Sequence, residues 1–338
     1  MSTRNSCLAV LLLALFACEP SHAAEANAAA PNSVHHLPAV RAGYAMHSAI
    51  LAVARSGERI VAVGDRGVVL ISDDDGSTFR QADSVPTRAT LTSVAFAPDG
   101  RTGWAVGHWG VVLVTEDGGS RWRMQRDDLS VDQPLFSVLF TDSNHGVAVG
   151  LWSLLACTAD GGKTWTTSTL EAGASSGAGA KGSGRSLFSV FASNKGTLLV
   201  AAEAGGVYRS TNAGQSWTPV ETGGKGSLWT GTSLKSGALL VGGLSGALYR
   251  SEDDGASWHA VTSASKSSIT ALAQAADGKV LAVGLNGVVL SSNDDGRSFQ
   301  VARVLPDRAG IAAVIGNRKG TPLLFGEYGP IAGEAAGR

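Results

Sequence analysis

The 338-residue chain carries 27 Lys and Arg against 28 Asp and Glu, a formal net charge of −1. That balance excludes the concentrated positive field with which nucleic-acid binders hold phosphate. Its 44 glycines and three cysteines point to many tight turns and away from a disulfide-stapled fold.

The chain opens with Arg4 and an apolar run over residues 8–17. That run is shorter than the ~20 residues a spanning helix needs and has the layout of an export signal. Two processing sites compete. Ser21-His22-Ala23 is a small-x-small site that makes residues 1–23 a signal peptide and releases a soluble periplasmic protein. Leu15-Phe16-Ala17-Cys18 resembles a lipobox, which would leave Cys18 as a lipid anchor, although Phe16 suits that motif poorly. Cys7 is removed under both readings. If Cys18 goes too, Cys157 stands alone, an inert core thiol in an apolar strand with no disulfide partner. Residues 24–33 are Ala/Asn-rich and read as a tether, and residues 24–42 as tether plus a closing strand.

From residue 43 onward one signature recurs. Residues 72–79 (SDDDGSTF), 115–122 (TEDGGSRW), 158–165 (TADGGKTW), 210–217 (STNAGQSW), 251–258 (SEDDGASW) and 292–299 (SNDDGRSF) share Ser/Thr-x-Asp-x-Gly-x-x-Trp/Phe. The third position holds Asp74, Asp117, Asp160, Asn212, Asp253 and Asp294, and the glycines are spaced by 43, 43, 52, 41 and 41 residues. Such a period marks a propeller or solenoid. Each copy lies between short apolar runs and reads as a hairpin turn. The hydroxyl and carboxylate bond nearby amides, the glycine takes a shape that a Cβ resists, and the aromatic folds back on the sheet. A buried Trp covers ~150–250 Å², so these boxes have a structural reason to exist. The run Asp73-Asp74-Asp75-Gly76 lacks the later acidic ligand of a calcium loop.

Seven first strands are expected at 49–54, 91–96, 135–140, 187–191, 228–232, 269–273 and 311–315. Each is followed by a second strand, a turn, a third strand, the box and a fourth strand. This predicts an all-β fold, a seven-bladed β-propeller of four-stranded antiparallel blades spanning 43–338. The last unit has no box, so residues 34–40 are expected to pair with it and close the ring, an arrangement under which deleting 24–42 lowers the melting temperature sharply. The 52-residue step holds a flexible insertion, 171–186. Its Gly177-x-Gly179-x-x-Gly182 opens no expected helix, so no nucleotide and no other cofactor is assigned.

Counting back from each box aligns the turns between second and third strands. Their two tip residues are Asp65-Arg66, His108-Trp109, Leu151-Trp152, Glu203-Ala204, Leu244-Ser245, Leu285-Asn286 and Glu327-Tyr328. Arg66, Trp109, Trp152 and Tyr328 fall on neighbouring blades, and these residue types dominate binding hot spots. They define a partner-binding crescent, to which Asp65, His108, Glu203 and Glu327 add polar groups. The alternative is that Trp109 and Trp152 plug the channel. The carboxylates and His108 carry no metal-ligand spacing, and no metal is assigned.

The boxes are the BNR/Asp-box repeat. Val85-Pro86-Thr87-Arg88, Gly103-Trp104-Ala105-Val106-Gly107-His108 and Val200-Ala201-Ala202-Glu203 resemble the photosystem II stability/assembly factor family, in its form found in non-photosynthetic bacteria, over about residues 45–330. The resemblance implies an exported seven-bladed propeller without enzymatic activity. In photosynthetic members the implied role is to chaperone assembly of a membrane complex through an arginine-rich patch. No such patch aligns here, since only Arg66 falls on the tip ring. The expected partner is therefore a protein in another membrane complex.

The competing reading is a glycan-binding or sialidase-like Asp-box propeller, with Trp109 and Trp152 as sugar platforms. A sialidase needs three converging arginines, a tyrosine with a carboxylate partner, and an acid. Of the four tyrosines, Tyr208 and Tyr249 precede boxes and Tyr44 lies near the start, which leaves Tyr328 beside Glu327. No Gly-x-Ser-x-Gly elbow is present. The expectation is a protein without catalysis.

Overall fold

The computed structural model describes residues 34–128, 132–170 and 184–331. The expected signal peptide, the Cys18 anchor, the 24–33 tether and most of the insertion lie outside these residues.

Seven antiparallel sheets follow one another along the chain. Their first strands are Ile50–Ser56, Leu91–Phe96, Leu135–Phe140, Leu187–Ala192, Leu228–Ser233, Ile269–Gln274 and Ile311–Gly316, within two residues of the sequence reading at each end. Consecutive first strands touch all round the ring, and Ile50–Ser56 also touches Ile311–Gly316, so they line the central channel. Second strands such as Arg59–Gly64 and Leu239–Gly243 are buried on both faces because each lies between two neighbouring blades. Val61 and Val63 face the second blade beside Leu91 and Leu113, while Ile60 and Ala62 face the seventh beside Phe325. One apolar cluster fills each of the seven seams.

Six blades have four strands of their own. The sixth also takes Thr262–Ser263 as a parallel fifth strand. The seventh departs from expectation: among the described residues it has three strands, Ile311–Gly316, Pro322–Gly326 and Gly329–Ile331. Residues 34–40 do not form the expected closing strand. Residues 34–42 instead cross the first and second blades. The Ala39 amide donates to the Val85 carbonyl at 2.9 Å, Gln81 Nε2 to the Val40 carbonyl at 2.8 Å and Arg88 Nε to the Pro38 carbonyl at 3.0 Å. Pro330 supplies part of the reason. It carries no N–H, so it blunts the outer edge to which a fourth strand would bond. Side chains fasten the first and seventh blades instead. Arg55 Nη2 donates to both Asp75 Oδ1 and the Gly316 carbonyl at 2.8 Å, and the Arg318 amide donates to Asp75 Oδ2 at 2.8 Å.

The boxes form the expected hairpin turns. In the first, Ser72 Oγ donates to Asp74 Oδ1 and accepts from the Gly76 amide, both at 2.8 Å, while the Thr78 amide and hydroxyl donate to Asp74 at 2.8 and 2.6 Å. The box glycines have φ between 77° and 91°, which a Cβ disfavours. Trp122, Trp258 and Phe299 are buried, and Phe79, Trp165 and Trp217 half-buried. Bonds from Thr78 and then Ser72 hold the Asp74 carboxyl at a pKa of about 2, bonds from Thr164 hold Asp160 at about 2, and those from Ser292 and Ser298 hold Asp294 at about 2. At Asp253 burial opposes the shift, but bonds from Ser257 and Ser251 still bring it to about 2.

Unfolded carboxyls of this type titrate near pH ~4. Because the folded values are lower, the stabilisation is complete above pH ~4 and is lost as the pH falls toward ~2. Asn212 shows that an amide can fill the turn, since its Oδ1 still accepts from Ser210 Oγ and the Ser216 amide. Converting Asp74, Asp160, Asp253 and Asp294 together to Asn should therefore lower stability at neutral pH and flatten its loss in acid. Circular dichroism followed against pH checks this, and an unchanged acid limb would refute it.

Candidate functional site

Sequence dictates a ring of turns on one face. The amide of each first tip residue donates to the carbonyl just before that blade's first strand: Asp65 to Ala49, His108 to Thr90, Leu151 to Pro134, Glu203 to Ser186, Leu244 to Ser227, Leu285 to Ser268 and Glu327 to Gly310, at 2.9–3.2 Å. The tips therefore surround the channel entrance. In six blades the turn is a single 3₁₀ turn whose second tip residue has φ between 52° and 60°. Side chains in this left-handed region cost of order 1 kcal/mol each. Arg66, Trp109 and Trp152 are thus large side chains held in strained backbone on one side of the ring. The seventh turn is a two-residue hairpin closed by Gly326 and Gly329, and Tyr328 lies outside the left-handed region.

The expected site residues all lie on this face, in different surroundings. Trp152 and Tyr328 are 41% and 60% exposed. Arg66 is exposed, with Nε 3.5 Å from the Asp65 carboxylate, which also accepts from the Arg66 amide and Thr90 Oγ1 at 2.9 Å. Trp109 is half-buried because the strap of residues 34–42 passes over it, with the His35 ring centred 4.2 Å away and tilted by 40°. Burial, aided by His36, pushes the His35 imidazole below its usual value against the pull of Asp132 and Asp127. The Trp109 amide donates to Asp132 Oδ1 at 3.0 Å, and His108 Nδ1 lies 3.5 Å from Asp132. Glu203 accepts from the Ser186 amide at 3.0 Å. Glu327 and Tyr328 line a groove of about 350 Å³ with Arg303, Leu305 and Asp307. Among the described residues no group of His, Cys, Asp or Glu is arranged to hold a metal ion.

The third blade differs from the rest. Ser153, with φ 59°, stands where the other turns have glycine, and its hydroxyl donates to the Arg185 carbonyl at 2.9 Å. The Leu170 amide donates to the Ser153 carbonyl, so residues 170 and 184–185 flank this turn beside Trp152. Tyr208 is 1% exposed inside a seam and is no candidate nucleophile. Cys157 lies in the strand Leu154–Thr158, and burial pushes its thiol up.

Two sets of residues escaped the sequence reading. Leu244 and Leu285, first tips judged only for charge, are each 42% exposed. The second set comes from a β-bulge at the second residue of every first strand, which removes that residue from the ladder. These residues are Leu51, Thr92, Phe136, Phe188, Trp229, Thr270 and Ala312, just inside the ring of tips. One signal was available, since an apolar residue followed by an aromatic opens three successive first strands at Leu135-Phe136, Leu187-Phe188 and Leu228-Trp229.

A family model described as photosynthesis system II assembly factor YCF48 matches residues 81–240 and, overlapping them, 124–301. No curated protein sequence matches. Among solved structures, YCF48 bound to D1 peptide is similar at a TM-score of 0.65 and 19% identity, covering 84% of this chain and 92% of that one. YCF48 from Cyanidioschyzon merolae is similar at 0.65 and 18%, covering 84% and 94%. The WD40 propeller domain of Doa1 reaches 0.64 at 12% identity, covering 86% and 94%. At these identities the structural likeness shows the fold alone.

Proposed function

Because the chain belongs to the photosynthesis system II assembly factor YCF48 family, we propose that it is an exported, non-catalytic propeller that binds a segment of another protein on its turn face and so assists the assembly or stability of a membrane complex. One observation carries this reading. At the left-handed turn position shared by six blades, one side of the ring presents exposed Arg66 and Trp152 where the other presents Ala204, Ser245 and Asn286, and Trp and Arg are enriched in binding hot spots. A neighbouring propeller of the family has been solved with a D1 peptide, which supports a peptide-like partner here. The arginines of this chain are scattered, which favours a membrane complex other than a photosystem. The working compartment is the periplasm, reached as a soluble protein or one held at Cys18.

The test is a crosslinked pull-down from the native envelope, comparing the wild-type protein with an Arg66→Ala, Trp152→Ala, Tyr328→Ala variant of matched melting temperature. The expected result is a membrane-protein partner whose recovery falls at least about tenfold in the variant. Equal recovery from both would remove the turn face as the binding surface.

A further inference from the structure

The seven bulge residues divide by what they do. Thr92 Oγ1 donates to the Leu135 carbonyl of the next blade at 2.6 Å, and Thr270 Oγ1 donates likewise to Ile311. There the bulge fastens a seam. Ala312 is small, and Leu51 stands 36% exposed. On the third to fifth blades the same position holds Phe136, Phe188 and Trp229, all half-buried. The rings of Phe136 and Phe188 lie 5.7 Å apart at 22°. Strand Leu187–Ala192 touches the turn that carries Trp152, and strand Leu228–Ser233 touches the turn that carries Glu203. In this aromatic arc the pair thus lies beside the turn of exposed Trp152, and Trp229 stands two residues from Ser227, whose carbonyl accepts from the amide of the exposed tip Leu244.

The chemistry around the arc selects its occupant. Among the tip residues Asp65, Glu203 and Glu327 are acidic, and Arg66 is tied to Asp65. Asp132 borders the arc on the connector into the third blade, and Glu203 borders it at the fourth-blade turn. Between them Arg185 is turned outward to Glu221 at 2.7 Å. Among the described residues Lys225 on the following connector, and Lys266 beside the turn that carries Leu244, are set against this. At the Asp132 and Glu203 end of the arc a free carboxylate would therefore meet like charge, whereas a lysine or arginine would meet its complement.

We propose that Phe136, Phe188 and Trp229 form the anchor site for apolar side chains of an extended, cationic segment of the partner protein, with Asp132 and Glu203 taking the flanking positive charge. This rests on the reading that the turn face binds a protein segment. The half-buried rings keep only part of their surface for a partner, but they hold it in fixed positions, and aromatics so placed are enriched at the energetic centre of interfaces.

The experiment is fluorescence anisotropy with two labelled, unstructured peptides, each alternating Leu and Phe with Ala. One is flanked by paired lysines and the other by paired glutamates. The wild-type protein should bind the lysine-flanked peptide at least about tenfold more tightly than the glutamate-flanked one, with the preference shrinking in high salt. Phe188→Ala and Trp229→Ala should each weaken binding about tenfold or more. Trp229→Thr restores the residue type found at Thr92 and Thr270, so it retains the fold if the alanine variants do not, and it should weaken binding equally. Undiminished binding by folded bulge variants, no preference between the peptides, or no binding of either overturns the proposal. Binding that falls only with Trp152→Ala and Tyr328→Ala also overturns it while leaving the turn-face reading intact. Failure of that reading itself shows separately, as equal recovery in the pull-down.

Discussion

Gly243→Val should destabilise the ring by at least ~3 kcal/mol, read as a shift of the urea unfolding midpoint. The backbone at Gly243 is extended, with φ −177°, so torsional preference is not the reason. A Cβ built there falls 2.0 Å from the Ser227 carbonyl oxygen and 2.8 Å from Leu228 Cα. These are backbone atoms of the strand that lines the channel, and no side-chain rotation relieves the overlap. Gly64, Gly107, Gly150, Gly284 and Gly326 meet the corresponding carbonyl at 1.9–2.2 Å. The fourth blade has Ala202 at this place and accommodates it with φ −137°, a local shift too small for a branched side chain. Gly237→Ala is the control. Its φ of 89° is strained for alanine but nothing lies within 4 Å, so it should cost only ~1–2 kcal/mol. Equal losses at the two sites would contradict the steric argument.

Arg250→Ala should cost about 3 kcal/mol, at the lower end of the range for breaking a buried ion pair. Arg250 is 7% exposed. Its Nε donates to the Asp295 carbonyl at 3.0 Å and its Nη2 to Asp295 Oδ2 at 2.7 Å, and Nη1 reaches Glu252. One side chain of the fifth blade thus holds the box of the sixth. The residue before the box glycine has left-handed backbone, and where it is Asp its carboxylate turns toward a neighbouring blade. Asp254 takes Arg209 in this way at 3.1 Å, and Asp75 takes Arg55 and Arg318. Removing Arg250 deletes the bonds to both the Asp295 carbonyl and its carboxylate, leaving that acid the looser contact with Arg297 at 3.9 Å. Arg209→Ala should cost less, because Arg209 is itself 25% exposed and Asp254 keeps the bond from Thr197 Oγ1 at 2.6 Å. Thermal unfolding of the two variants side by side decides this, and a larger loss at Arg209 would reverse the ranking.

Much of this architecture is legible in the sequence because the period repeats its physical cause. Asp74, Asp160 and their equivalents recur with the hydroxyl and glycine they need, so the box can be read from one copy and checked on five others. Counting back from it puts Arg66, Trp109 and Trp152 on their turns without any coordinates. What escapes has no period. Residues 34–40 have the length and place in the chain of a closing strand, but a short segment such as VHHLPAV does not state whether it pairs with Gly329–Ile331 or crosses to Val85. Its destination rests on Gln81, Arg88 and Trp109, which are distant in sequence. The bulges escape for a different reason. One extra residue in a strand leaves its apolar pattern readable as core, so Phe136, Phe188 and Trp229 pass for packing residues until the register is seen. Arg209 and Asp254 stand 45 residues apart, about one period, and nothing in either blade alone announces the pair.

Because Asp75 and Arg318 are 243 residues apart, the clasp between the first and seventh blades gives the protein an order of assembly in time. A ribosome delivers Asp75 well before Arg318. Until then Ile50, Ile60 and Leu70 have no Phe325 or Ala313 to cover them, and the growing chain is an arc with a greasy leading end. A shared strand would let one blade nucleate closure from both termini. Side-chain latches act only once both ends are already folded, so the entropy of bringing them together falls on a single late step. The unfinished arc is the species most exposed to aggregation, and its lifetime is set by how quickly the last blade arrives.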